Sequence, residues 1–271
     1  MKGLLIYDAV GKARNEWFIE RLIEAAKKRG HGLELVTYSD ESDIPPLKDY
    51  DFAIVRAIAP NLNEMLEMAG IPCFNNAKTS RAANDKWQTY LFAKKLGIAV
   101  MDTTDKKNYA DIVSAAGIPF VLKAVDGHGG REVFLVNNEQ EYKDLLSLLP
   151  NKRLIAQRLS SEVGVDMRVY VLGGRVLGAA KRTSKKDFRS NFSLGGNAEI
   201  CTPSSDMLDV IEKVHSALKC DFVGIDFIRH DGRWILNEIE DVVGTRMLYA
   251  LTDIDAADEY IGYIMNKMNK K

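Results

Sequence analysis

The sequence predicts a mixed α/β fold in which a small parallel unit precedes two units built on antiparallel strands. Strands alternate with helices over residues 1 to about 76, a pattern typical of a parallel sheet. Turn residues join neighbouring apolar runs at Gly173-Gly174 and at His230-Asp231-Gly232, which indicates β-hairpins. A chain of 271 residues is long enough for a full core divided among two or three subdomains.

Composition narrows the classes of function. Hydrophobic residues make up 46% and charged residues 28%, which is ordinary for a soluble globular protein, and the net charge of -1 favours neither nucleic acid nor a membrane as a partner. The three cysteines form no C-x-x-C pair and suit a reducing cytoplasm. The short apolar run before Asp8 predicts no signal peptide, and no stretch approaches the ~20 apolar residues of a spanning helix.

The first unit alternates predicted strands with predicted helices. The strands are expected at Gly3–Tyr7, Leu33–Tyr38, Phe52–Arg56 and Ile71–Phe74, and the helices at Asn15–Arg29 and Asn61–Ala69. The first turn, DAVGKARN, contains one glycine and lacks the G-x-G-x-x-G pattern. A dinucleotide-binding function is therefore weakly supported.

The middle of the chain contains two lysines in suggestive places. Helices are predicted at 77–83, 85–95 and 138–149, and strands at 120–124, 133–136 and 154–159. Lys86 lies in a first helical turn, where the helix dipole disfavours a cation, and this hints at an anionic partner. Lys123 precedes the glycine-rich segment VDGHGGRE. Such a loop is either a phosphate clamp or a plain hairpin connection that needs glycine.

A basic segment follows the next predicted hairpin. Strands are expected at 167–172 and 175–180, and five basic residues lie within 181–189: Lys181, Arg182, Lys185, Lys186 and Arg189. Three interpretations stay open: a nucleic-acid patch with Phe188 and Phe192 stacking on bases, a solvated loop, or an electrostatic clamp on phosphate and an acidic substrate. Helices are predicted at 206–218 and 254–268.

The last predicted hairpin, Phe222–Ile228 with Trp234–Ile239, carries acids in its apolar strands. Asp226 interrupts the first strand, and Glu238 and Glu240 share one face of the second because side chains alternate along a strand. Three carboxylates without a counter-charge would repel one another by a few kcal/mol per pair at an effective dielectric near 20. A hard divalent cation removes that repulsion. The alternative is a strand face exposed to water.

This hairpin also allows a prediction of register. A two-residue turn at Asp231-Gly232 with regular pairing would place Asp226 opposite Asn237, and the two glutamates would then point to the other face. A metal site therefore requires Asp226 opposite Glu238. We expect either an odd-length loop or a β-bulge between Phe227 and Trp234.

The motifs in this order resemble the ATP-grasp ligases, and most closely the group of ribosomal-protein S6 glutamate ligases and lysine-biosynthesis carrier-protein ligases. The resemblance covers residues 80 to 248 and rests on NDKW at 84–87, VLKAVDGHGG at 121–130, AQRL at 156–159, DMRVYV at 166–171, KR at 181–182, DFRSNFSLGG at 187–196, and Asp226 with Glu238 and Glu240. It implies an ATP-grasp fold of the α/β (α+β) class. Its parts would be an N-terminal Rossmann-like α/β domain (1–80) and an ATP-grasp domain (81–271), the latter with a small lid subdomain (98–160) and a C-terminal antiparallel-sheet subdomain (161–271).

The resemblance also implies cofactors, partners and roles. The cofactors would be ATP and Mg²⁺, with Mn²⁺ as an alternative. The partners would be a carboxylate-bearing substrate and an amine acceptor, with no nucleic acid or membrane, and a homo-oligomer left open. The residues implied to bind ATP are Lys86, Lys123, Gly127, His128, Gly129, Gly130, Gln157, Arg158, Leu159, Glu162 and Asp166. The implied metal ligands are Asp226, Glu238 and Glu240, and the implied catalytic and acceptor-side residues are Arg168, Lys181, Arg182, Arg189 and Asn191. The implied reaction forms an acyl phosphate, which an amine then attacks to give an amide.

Three positions depart from the family pattern. Arg158 stands where members often carry Glu after the hinge Gln, Glu240 stands where close relatives carry Asn, and DVVGTRM replaces a small-residue and Pro-Gly stretch. Arg246 in that segment is a candidate partner for a substrate carboxylate, which weakens the case for S6 glutamylation itself. The alternatives to a ligase are a non-catalytic ATP-binding protein on the same fold and an RNA-binding module.

Overall fold

The structure is a computed structural model that describes residues 1–127, 130, 132–184 and 197–270. Within these residues the chain forms three sheets with helices packed around them, a mixed α/β fold with one parallel and two antiparallel sheets. No helix in the described ranges is both long enough and apolar enough to cross a membrane.

The first sheet is parallel, as the alternating pattern predicts. Its strands are β1 (Lys2–Tyr7), β2 (Gly32–Thr37), β3 (Phe52–Val55) and β4 (Cys73–Phe74), in the order β2-β1-β3-β4. Helices α1 (Ala9–Arg14), α2 (Glu16–Lys28) and α3 (Pro60–Met68) connect them. The central strands are buried on both faces, which explains their continuous apolar runs.

Two short helices lead from the first sheet to the second. They are α4 (Ala77–Ala83), capped by the Asn76 side chain, and α5 (Lys86–Lys95), capped by the Asp85 side chain on the amides of Trp87 and Gln88. Helix α5 begins one residue after its predicted start at residue 85, and that residue serves as its cap. This cap fixes Lys86 as the first residue of the helix.

The second sheet is small and antiparallel. Its strands are β5 (Thr103–Thr104), β6 (Phe120–Ala124), β7 (Val133–Val136) and β8 (Leu154–Arg158), in the order β5-β8-β6-β7. Helices α6 (Tyr109–Ala116) and α7 (Glu139–Leu148) cover one face and bury Phe120, Leu122 and Tyr142. The glycine-rich segment therefore connects β6 and β7, the two strands at one edge of this sheet.

The third sheet is the largest and has the order β11-β10-β9-β12-β13. Its strands are β9 (Val165–Leu172), β10 (Arg175–Thr183), β11 (Asn197–Ile200), β12 (Phe222–His230) and β13 (Arg233–Glu240). Helix α8 (Ser205–Leu218) packs on one face of the sheet. Helices α9 (Arg246–Leu251) and α10 (Ala256–Met268) pack with α2 between this sheet and the first.

The β12–β13 hairpin confirms the predicted register but forms it differently. Asp226 lies opposite Glu238, and Glu240 pairs with Gly224 two residues along. The loop is not odd in length: His230 pairs with Arg233 across the two-residue turn Asp231-Gly232, whose positive φ angles of 46° and 72° are those of a type I′ turn. The register shifts at a β-bulge whose extra residue is Asn237, just outside the predicted interval of Phe227 to Trp234.

Candidate active site

The largest concentration of predicted functional residues lines one cleft between the second and third sheets. The second sheet contributes Lys123 and Gln157, the third contributes Arg168, Asp226 and Glu238, and the segment between β8 and β9 forms one wall. Lys86 closes one end, and Gly127 and Gly130 of the glycine-rich segment line the cleft as well. The fold thus assembles residues that lie up to 154 positions apart in the sequence, from Lys86 to Glu240.

Two arginines neutralise the acidic hairpin. Arg168 on β9 donates from Nε and Nη2 to both oxygens of Asp226, at 2.8 and 2.7 Å, and also reaches Glu240. Arg182 on β10 donates to Asp226 Oδ2 at 2.9 Å, the oxygen that Arg168 Nη2 also contacts, and it donates to Asp166 as well. This arrangement follows from the strand order, because β9 lies between β12 and β10 and pairs Arg168 with Asp226.

The pKa shifts of Asp226 and Glu240 show that the arginines neutralise these two acids unequally. Burial alone would raise the pKa of Asp226, but Arg168 and Arg182 outweigh it and hold the pKa well below its usual range. Burial raises the pKa of Glu240 to about 7, with a further contribution from the charges of Asp226 and Glu238 and against the opposing effect of Arg168. The charged form of Glu240 is therefore disfavoured, and an additional cation beside it would stabilise that form.

The three carboxylates do not form a metal cage as they stand. Among the described residues, no group of three histidine, cysteine or acidic side chains is arranged to hold a metal ion. The sequence argument anticipated carboxylates without any counter-charge, but Arg168, Arg182 and Lys86 supply one. Both oxygens of Asp226 are occupied by these arginines. Glu238 and Glu240 fit an oxygen-coordinated divalent cation better than Asp226 does.

Lys123 is held by neutral side chains. Its Nζ donates to Gln157 Oε1 at 2.6 Å and to Asn237 Oδ1 at 3.2 Å. Burial lowers the pKa of Lys123 to about 8, although Glu238 opposes this shift. An anion entering the cleft would therefore find a cation that no carboxylate of the described residues contacts directly.

Asn237 is a site residue that sequence reasoning missed. It is the extra residue of the bulge, and it points its amide at Lys123 in the opposite sheet. One signal for it was present: Leu236 and Ile239 are both buried in the same core cluster, although a regular strand would place residues three apart on opposite faces. That spacing of apolar residues indicates a bulge between them.

Lys86 bridges the glycine-rich segment and the acidic hairpin. Its Nζ lies 2.9 Å from Glu238 Oε1 and donates to the carbonyl oxygen of Gly127. Glu238 thus compensates for the unfavourable position of a lysine at a helix N-terminus. At Gly127 itself, an added Cβ would lie 2.9 Å from Glu132 Oε2 and 3.3 Å from the carbonyl oxygen of Ala124, so a side chain there would require Glu132 to move and the turn to shift slightly.

The end of β8 and the segment after it contain the residues that the family resemblance implies for adenine, Gln157 to Leu159, and for the ribose, Glu162. Arg158 turns outward to Asp102, with Nε 3.0 Å from Oδ2, so its side chain points away from the acidic hairpin. The Gln157 side chain is held by Lys123 and Thr103. Leu159 and Glu162 line the cleft, and Glu162 also contacts the β12–β13 turn. The backbone of this segment remains the candidate for reading a base.

The remaining predicted residues divide into three groups. Asp166 lines the cleft and pairs with Arg182, while Lys181 lies beside Glu199 on the neighbouring strand, at 3.3 Å. Arg246 begins α9 and is exposed. His128, Gly129, Arg189 and Asn191 lie outside the described residues.

Comparisons with known proteins agree with this architecture. The RimK-like ATP-grasp domain family matches residues 83–264. The "Uncharacterized protein MG011 homolog" of Mycoplasma pneumoniae is 29% identical over 91% of this chain and 86% of its own length. The "Glutamate--LysW ligase ArgX" of Sulfolobus acidocaldarius is 28% identical over 80% of this chain and 82% of its own length.

A solved structure shows the same fold. The D-alanine–D-alanine ligase of Bacillus anthracis, complexed with ATP, superposes with a TM-score of 0.77 at 17% identity, over 100% of this chain and 98% of that one. The matched RimK-like domain spans well over half of the chain, and this match shows the family. The chain belongs to the RimK-like ATP-grasp family, whose enzymes use ATP and a divalent metal ion to join a carboxylate to an amine.

Proposed function

We propose that this protein is an ATP- and Mg²⁺-dependent ligase that activates a carboxylate as an acyl phosphate and transfers it to an amine. The substrate that best fits the relatives is an amino acid such as glutamate, joined to a small molecule, a peptide or a protein. One observation carries the proposal: four cationic and five anionic side chains line a single cleft, and they come from two sheets, a helix N-terminus and the segment between β8 and β9. The three free cysteines suit a cytoplasmic location.

The two lysines are the proposed phosphate contacts. Lys123 is held in place by two neutral amide oxygens, so its charge remains available to an anion. Lys86 connects the glycine-rich segment to Glu238, and can follow phosphate into the cleft without losing its place at the start of α5. Phosphoryl transfer requires positioning and charge stabilisation more than covalent work by the protein, and these lysines supply both.

Glu238 and Glu240 are the proposed principal ligands of Mg²⁺. Asp226 would be a third ligand if Arg168 or Arg182 released one of the Asp226 carboxylate oxygens. The two glutamates share one face of β13, and burial with neighbouring acids raises the pKa of Glu240. Bound there, the metal ion would neutralise phosphate charge. Arg168 and Arg182 fix the Asp226 carboxylate beside this position.

The chemistry proceeds in two balanced steps. A substrate carboxylate oxygen attacks the γ-phosphorus of ATP, the bond to the bridging oxygen breaks, and ADP leaves. The amine nitrogen then attacks the carbonyl carbon of the acyl phosphate, loses a proton, and expels inorganic phosphate. Water competes for the same intermediate, so the glycine-rich segment over the cleft is the proposed barrier to water. Arg189 and Asn191 remain predicted acceptor-side residues.

Trapping the intermediate tests this proposal. With ATP, Mg²⁺ and a panel of amino acids, hydroxylamine should convert the acyl phosphate into a hydroxamate only in the presence of the correct carboxylate. Release of ADP should depend on that carboxylate, and full turnover should depend on an amine as well. ATP binding without carboxylate-dependent ADP release across the panel would instead support a non-catalytic nucleotide-binding protein. Binding of RNA with a steep salt dependence would support the third alternative.

A further inference from the structure

The turn of the β12–β13 hairpin interlocks with the segment between β8 and β9. The Ser161 amide donates to His230 Nδ1 at 3.1 Å, and the Asp231 amide donates back to Ser161 Oγ at 2.8 Å. Ser160 Oγ also donates to the carbonyl oxygen of Arg229. We call the contact between residues 160–162 and 229–232 the clasp.

The clasp fixes the direction of one carboxylate. Glu162 Oε1 accepts a hydrogen bond from the Gly232 amide at 2.9 Å, and Oε2 lies 3.4 Å from Arg229 Nε. The Glu162 amide donates to Ser160 Oγ at 3.1 Å, so its backbone is held as well. Each carboxylate oxygen has a second lone pair, and Glu162 lines the cleft, so both oxygens can still accept a bond from a ligand.

The turn type makes these donors available. In a two-residue turn the central amides of Asp231 and Gly232 lie outside the strand pairing. Here both amides bond to the segment that lines the cleft. Gly232 has a φ of 72°, which glycine adopts without strain, so its amide can face Glu162.

We propose that the clasp is a positioning device for the sugar of the nucleotide, with His230 and Ser161 as positioning residues that aim Glu162 at the ribose hydroxyls. This inference rests on the proposed function. It adds that one hairpin sets both ends of the nucleotide site, because β13 carries Glu238 and Glu240 at one end and the turn at the other holds Glu162. The distance between the sugar contact and the proposed metal ligands is thereby set by a single hairpin.

The test compares two nucleotides without any acceptor present. Dissociation constants of ATP and of 2′,3′-dideoxy-ATP, which lacks both ribose hydroxyls, are measured by calorimetry with Mg²⁺. The variants His230→Leu and Ser161→Ala each remove one acceptor from the clasp. His230→Asn keeps an acceptor oxygen near the position of Nδ1. Arg233→Ala is the matched control, because the exposed Arg233 side chain in the same hairpin makes no hydrogen bond or ion pair with the described residues.

We expect the wild-type protein to prefer ATP over the dideoxy analogue. His230→Leu and Ser161→Ala should weaken ATP binding about tenfold, the loss of a hydrogen bond to a charged group, and change binding of the analogue less than about twofold. His230→Asn and Arg233→Ala should retain the wild-type preference. Equal weakening of both nucleotides, or a wild-type protein that binds them equally, would overturn the clasp. Failure to detect ligase turnover would leave this result intact, whereas loss of all ATP binding in the wild-type protein would overturn both proposals.

Discussion

The two walls of the cleft hold their cations in opposite ways. On the third sheet, Arg168 and Arg182 are paired with carboxylates, and Asp226 alone accepts three hydrogen bonds from them. On the second sheet, the partners of Lys123 among the described residues are amide oxygens, and burial lowers its pKa to about 8. A buried cation paired with acids therefore supports the fold, whereas a buried cation held by amides can bind an anion.

Removing Arg168, which pairs with two carboxylates, should have the largest effect on stability. Arg168→Met leaves Asp226 and Glu240 buried with one partner fewer, which costs about 3–5 kcal/mol of unfolding free energy. The melting temperature should fall by more than about 5 °C. The exposed pair of Arg175 and Glu259 provides the control, because Arg175→Ala should cost less than about 1 kcal/mol. Similar losses of unfolding free energy in the two variants would contradict the claim that the buried Arg168 supports the fold.

Removing one carboxylate charge should affect turnover and not the fold. Glu238→Gln preserves side-chain volume but removes a charge that Lys86 and the proposed Mg²⁺ ion would share, and kcat should fall by at least about a hundredfold. Thermal unfolding and circular dichroism serve as controls for the fold. A variant that keeps full activity with unchanged Mg²⁺ dependence would contradict the assignment of Glu238.

Removing Lys123, whose described partners are amide oxygens, should have the opposite effect on stability. Lys123→Met should weaken ATP binding by at least about tenfold, yet leave the melting temperature at pH 7 unchanged or raised. The sign follows from proton linkage. The pKa is about 8 in the folded protein and about 10.4 in the unfolded chain, so the unfolded state binds more protons between these values. Wild-type stability should rise with pH across that interval, and the variant should lack this contribution; a destabilised variant at pH 7 would refute the contrast.

The smallest effect concerns the bulge residue. Asn237→Leu removes one of the two acceptors of Lys123, and the KM for ATP should rise about fivefold, the value of one ordinary hydrogen bond. The KM for the amine should stay unchanged. Asn237→Asp retains an acceptor oxygen but pairs Lys123 with a carboxylate, and it should weaken ATP binding further than Asn237→Leu does. Equal changes in both Michaelis constants would show that Asn237 acts on the whole cleft and not through Lys123.

Much of this architecture could be predicted from local patterns, because the strands and helices that frame the cleft follow apolar periodicity and caps. The pairing of Asp226 with Glu238 was also within reach, since only one register brings the acids together. The position of the bulge was only partly within reach: the spacing of Leu236 and Ile239 indicates it, but the hydrogen bond from Lys123 to Asn237 comes from another sheet. The partners of Asp226 were hidden for a related reason: they depend on β9 lying between β10 and β12. Short elements such as α6 and β11 gave too little periodicity to be found.

The bulge at Asn237 has a consequence for how this segment tolerates changes in length. A regular strand presents every second residue to one side, but here Asn237, Glu238 and Glu240 all line or face the cleft within four positions. Since Phe227 pairs with Leu236 and Asp226 with Glu238, deleting Asn237 would join two stretches already in phase. A one-residue deletion between Glu238 and Glu240 would instead turn an acid towards the apolar core. Between Leu236 and Glu240, deletion of Asn237 therefore preserves the strand pairing, although it removes a residue that contacts Lys123.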